Sequence, residues 1–124
     1  MLFKRKIYDK FLAWKIECAG KKALLVEGAR RIGKSTVVEE FAKNEYKSYI
    51  LIDFAKASSD VKEYFQLYLN DLDTFFMLLS VQYGVQLHER DSVIIFDEVQ
   101  LFPKAREAIK YLVADGRYDY METG

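Results

Sequence analysis

Gly28-Ala29-Arg30-Arg31-Ile32-Gly33-Lys34-Ser35 decides the reading of this chain, because it satisfies the pattern G-x-x-x-x-G-K-[ST] at every fixed position. At ordinary residue frequencies such a match arises by chance in about one chain of this length in a few hundred. Its context strengthens it. Ala23, Leu24, Leu25 and Val26 precede it as a buried strand, and residues 34–43 follow with helical periodicity. Each residue type has a physical reason. Glycines let the backbone turn and approach an anion without steric cost. Consecutive N–H groups and a helix N-terminus then present partial positive charge to that anion. In such a loop Lys34 sets a mobile cation against the β- and γ-phosphates of a nucleotide, and the Ser35 hydroxyl ligates Mg2+. The candidate cofactor-binding residues are Gly28, Ala29, Arg30, Arg31, Ile32, Gly33, Lys34, Ser35 and Thr36, with Arg30 and Arg31 equally readable as solvated loop side chains.

Further along, Val93, Ile94, Ile95 and Phe96 lead directly into Asp97 and Glu98. A carboxylate at the end of a buried strand can hold a Mg2+ shell while its neighbour polarises an attacking water. In isolation this is a weak pattern, since acidic residues often follow strands. Beside the 28–35 loop it assigns metal ligation to Ser35 and Asp97, and catalysis to Lys34 and Glu98. The Asp-Glu pairing favours ATP hydrolysis over GTP hydrolysis, and no Asn-Lys-x-Asp guanine-reading motif occurs.

The rest of the chain alternates short apolar runs with segments of helical period, the pattern of an α/β fold with a parallel sheet. A helix is expected over residues 6–18, with Ile7, Phe11 and Trp14 on one face and Gly20 as a stop. Residues 49–53 read as a second strand. Val61, Tyr64, Phe65, Tyr68 and Leu69 define one helix face, and Leu72, Phe75, Phe76 and Leu79 another. Asp71 is placed to cap the second of these helices and Gly84 to end it. Residues 92–96 form the third and most apolar strand. Pro103 opens a further helix that Gly116 ends. Residues 118–122 read as a weak fourth strand. The expected architecture is a three-layer α/β/α P-loop NTPase domain with a mostly parallel sheet, the third strand beside the first, truncated after the fourth strand.

Composition narrows the partners. The 124 residues suit one domain, and 51% are hydrophobic, so a sizeable core can form. Nineteen basic residues balance nineteen acidic ones, which gives nucleic-acid binding no support from bulk charge. One cysteine, Cys18, excludes an internal disulfide and fits a reducing cytoplasm. The basic N-terminus lacks the unbroken apolar run of a signal peptide or membrane span. His88 stands apart from other metal-ligand types and reads as a surface residue. Tyr8, Phe11 and Trp14 could reach an adenine, but core packing accounts for them better. Gln100 could orient a water or touch a neighbouring segment, and is equally at ease as a plain polar loop residue.

The 28–35 loop, taken with Phe96-Asp97-Glu98-Val99-Gln100, resembles a family of prokaryotic AAA+-type ATPases. Its members carry a G-[AP]-R-[RQ]-[VI]-G-K-[ST] loop and an [FL]-D-E-[IV]-Q segment. The resemblance spans essentially the whole chain, from the basic lead-in helix to Asp119-Tyr120-Met121-Glu122-Thr123-Gly124. It implies that the last strand runs into a Thr-Gly-Ser segment sensing the γ-phosphate, of which Thr123 and Gly124 are present. It also implies further chain beyond Gly124, a small helical region and a C-terminal domain, as the partner of this one. ATP and Mg2+ are then the expected ligands, and ATP hydrolysis driving a conformational change the expected activity of the longer protein. An exposed strand edge could add self-association. Two alternatives stay open, a nucleotide-binding interaction module without hydrolysis and a P-loop small-molecule kinase.

Overall fold

Val93, Ile94, Ile95 and Phe96 are apolar in succession, and consecutive side chains on a strand face opposite sides of a sheet. Such a strand must therefore be covered on both faces. The computed structural model describes residues 2–27 and 33–124. It places this segment in β3 (Ser92–Asp97), buried along its whole length. With β1 (Leu24–Val26), β2 (Ser48–Asp53) and β4 (Asp119–Thr123) it forms a sheet in the spatial order β1-β4-β3-β2, every pairing parallel.

Five helices cover the two faces: α1 (Leu2–Cys18), α2 (Lys34–Glu45), α3 (Ser59–Leu67), α4 (Leu72–Tyr83) and α5 (Pro103–Asp115). Ile94 and Phe96 pack with Ile50, Ile52 and Tyr120 against buried residues of α3, α4 and α5. Val93 and Ile95 join Val26 and Met121 against Phe11 and Trp14 of α1 and Val37, Val38 and Phe41 of α2. The expected three layers follow. Helix ends form where the residue types allow. Asp71 accepts from the Thr74 N–H at 3.3 Å, and Ser58 caps α3 by accepting from Val61 N–H at 3.3 Å. Gly84 ends α4 at φ 64°, a left-handed conformation that a Cβ would strain. Pro103 occupies the first turn of α5 and Gly116 follows its end. The first helix begins at Leu2, several residues before the expected start.

The expected strand order needs one correction. β3 does not lie beside β1; β4 stands between them, with Ile94 opposite Tyr120 and Leu24 opposite Met121. The strand that read as weak is central, and all five of its residues are buried. Its polar content is the reason it read as weak, and partners offset that content. Asp119 accepts from the Tyr46 hydroxyl at 2.5 Å and from Arg90 Nη2 at 2.6 Å. Burial and the Asp119 carboxylate together push the Tyr46 hydroxyl far above the usual phenol range. Glu122 faces Arg106 at 3.5 Å. Among the described residues no helix is long and apolar enough to cross a membrane.

An aromatic cluster locks α3 onto the sheet. Phe65 is fully buried, and its ring lies 5.0 Å from Phe75, 5.5 Å from Phe96 and 5.7 Å from Phe54, all edge to face. Phe65→Ala should destabilise the fold by about 3–5 kcal/mol, read as a lower urea midpoint at unchanged slope. A loss below 1 kcal/mol would show that α3 is not held by this cluster.

Candidate functional site

In an all-parallel sheet the carboxyl ends of all strands open onto one edge, where crevices for ligands form. Here that edge gathers the ends of β1, β3 and β4 and the start of α2. Gly33 occupies the N-cap of α2 at φ 70°, ψ 34°, with no side-chain cap. The first helical bond runs from Val37 N–H to Gly33 O at 3.1 Å. The amides of Lys34, Ser35 and Thr36 therefore precede the intrahelical ladder, at the positive pole of the helix. Of the sequence-derived set, Gly28, Ala29, Arg30, Arg31 and Ile32 lie outside the described residues, as does the Lys34 side chain. Gly33, Ser35 and Thr36 stand at the helix start, with Thr36 exposed.

The Ser35 hydroxyl donates to Asp97 Oδ1 at 2.8 Å, joining the start of α2 to the end of β3. Thr123, at the end of β4, donates its hydroxyl to the same oxygen at 2.5 Å. That hydroxyl also accepts the Glu98 N–H at 3.2 Å. One carboxylate thus collects hydroxyls from a helix and from the adjacent strand. A buried carboxylate needs such donors, and Asp97 is only 8% exposed.

Glu98 follows in a left-handed conformation, φ 56° and ψ 46°, which costs an L-residue about 1–2 kcal/mol. Such strain held by its surroundings is common at functional sites. The chain turns there into a 3-10 turn, Val99–Leu101, and Gln100 Nε2 donates to Glu98 Oε2 at 2.7 Å. Glu98 is half-buried. Glu122, in β4 opposite Phe96, is a second buried acid: burial raises its carboxyl above the usual range and Arg106 opposes the shift.

The remaining sequence candidates separate clearly. Phe11 and Trp14 are buried in the core, and Trp14 Nε1 donates to Lys22 O at 2.8 Å. Tyr8 donates to Glu45 at 2.7 Å, toward the far end of α2 from Gly33. Their packing role stands. His88 is half-buried rather than a surface residue, because its loop folds under β3 with His88 N–H donating to Ser92 Oγ at 2.8 Å. Cys18 is half-buried. Among the described residues no group of three or more His, Cys, Asp or Glu is placed to hold a metal ion. Reading the residues missed that Thr123 bonds Asp97 and that Gln100 bonds Glu98. A threonine ending a buried strand and a glutamine two positions after a carboxylate were the available signals.

Thr123→Val removes a donor to Asp97 and an acceptor for Glu98 N–H while keeping the side-chain shape. It should cost about 1.5–3 kcal/mol in urea unfolding. Thr123→Ser, which keeps the hydroxyl, should lose much less. Equal losses in the two variants would assign the effect to packing instead.

A family described as AAA domain matches residues 20–124, a span holding the 28–35 loop, Asp97, Glu98 and Thr123 and leaving α1 outside. No curated protein and no solved structure was found that matches the chain. The sheet, the helix start at the end of β3 and the match over most of the chain agree, and the chain belongs to the AAA domain family of P-loop ATPases as a nucleotide-binding domain.

Proposed function

We propose that this domain binds MgATP and hydrolyses it, turning the cycle into a conformational change of the larger protein of which residues 1–124 form the N-terminal part of the ATPase domain. The observation that carries the reading is the 2.8 Å bond from Ser35 Oγ to Asp97 Oδ1. It brings together the two side chains that the loop and strand motifs separately assign to a metal, across 62 residues of sequence. Both contribute hard oxygen donors, and Mg2+ is suited by one or two protein oxygens completed by phosphates and water. Held by Ser35 and Asp97, the ion when bound would offset negative charge developing on the phosphates.

The chain's own residues divide the remaining tasks. Gly28, Ala29, Arg30, Arg31, Ile32, Gly33 and Thr36 supply backbone around the phosphates, and Lys34 adds a cation to the β- and γ-phosphates. The two acidic neighbours have unlike surroundings, which suits unlike roles. Asp97 is buried beneath two hydroxyls and is set for the metal shell. Glu98 is half-buried, with Gln100 on one carboxylate oxygen, and takes the proton of the attacking water. A small-molecule kinase is disfavoured, since the strand motif continues into Val99 and Gln100 without an arginine-rich lid segment beside it.

Saturating MgATP should raise the melting temperature of the wild type by on the order of 10 °C at a hundredfold excess over Kd. Lys34→Ala should lose that shift; a wild type that shows none sinks the binding claim. Glu98→Gln should keep the shift yet release phosphate about 100- to 10,000-fold more slowly with no acceptor added. Normal turnover in that variant removes Glu98 from its role.

A further inference from the structure

Gln100 is an exposed polar residue in a 3-10 turn, a setting in which a side chain ordinarily points into water. Its amide lies between Glu98 and Gly124 instead. Nε2 donates to Glu98 Oε2 at 2.7 Å, the short end of the range for a neutral donor on a carboxylate. Oε1 lies against Gly124, so close that a Cβ built on Gly124 would collide with it. Gly124 follows Thr123, whose hydroxyl accepts the Glu98 N–H and donates to Asp97. Two successive residues of β4's end therefore meet the two acidic residues of β3's end. Thr123 reaches Asp97 and the Glu98 backbone directly, and Gly124 reaches the Glu98 side chain through Gln100.

We propose that Gln100 is a positioning residue that sets the orientation of the Glu98 carboxylate and ties it to the end of β4. The proposal rests on the reading of Glu98 as the group that takes the water's proton. The chemistry favours glutamine at this place. A neutral amide can donate to one carboxylate oxygen without adding a charge beside it, whereas a glutamate there would repel the group. A Cβ at 124 would collide with the Gln100 amide oxygen, so a side chain there shifts the amide and with it the carboxylate. A shift of β4's end is thereby passed to the proton-accepting group within one residue's reach. The bond lies in an exposed setting, so it contributes little to stability and its value lies in orientation.

The test is steady-state ATP hydrolysis by the full-length protein, with Glu98→Gln, Gln100→Leu, Gln100→Glu and Gly124→Ala. Gln100→Leu should lower kcat about 10- to 100-fold, leaving KM, the MgATP-induced melting shift and the urea midpoint unchanged. Gly124→Ala should reproduce that loss, and the double variant should fall no further than the worse single one. Gln100→Glu, which repels the Glu98 carboxylate from that place, should lower kcat at least as far as Gln100→Leu. Unchanged or faster turnover in Gln100→Leu, with Glu98→Gln inactive, overturns the positioning role alone. Multiplicative losses in the double variant overturn the link to β4. Normal turnover in Glu98→Gln removes the underlying reading of Glu98, and the positioning role with it.

Discussion

The carboxylate of Asp97 is where helix, strand and neighbouring strand meet. Removing a charge from water is costly, and the cost is tolerable only when donors take the place of the lost solvent. Ser35 and Thr123 provide them, and each comes from a different element. Satisfying one oxygen therefore fixes three things together: where α2 starts, how far β4 runs beside β3, and how the chain leaves β3 at Glu98. The left-handed turn at Glu98 persists because its N–H is held by the same threonine. A hydrophobic core can bring layers together, but it tolerates small slides. Directional bonds to a buried charge do not.

The sequence made some of this plain and concealed the rest, for reasons that particular residues explain. β3 was legible because four apolar residues in a row leave no amphipathic alternative. Asp71, Gly84 and Pro103 marked helix ends because their backbone preferences are local and need no knowledge of distant chain. β4 was misjudged on the same grounds. Asp119, Glu122 and Thr123 weaken any strand judged by its own residues. Their partners, Tyr46, Arg90, Arg106 and Asp97, lie elsewhere in the chain, and no local rule could pair them.

The candidate site shows the same division. The motif residues were visible because phosphate and metal chemistry restricts residue types at fixed spacing. Nothing in that spacing states that Asp97 shares its oxygen with Thr123, or that Gln100 folds back onto Glu98. Those bonds depend on β4 lying beside β3, so an error in strand order carries straight into an incomplete site. With β4 in the middle, the end of that strand becomes part of the candidate site.

β4's position also sets an order of assembly. Among the described residues β1 has a ladder with β4 alone, and their registers pair Leu24 with Met121 across nearly the whole chain. The first strand therefore waits for the last. Residues 24–26 leave the ribosome early, yet they have no neighbour to bond until residues 119–123 exist. Contacts of such large sequence separation form late because loop closure must come first. The ladder that ties β1 to the sheet is therefore among the later events of folding, and a chain that has made most of its core still lacks it.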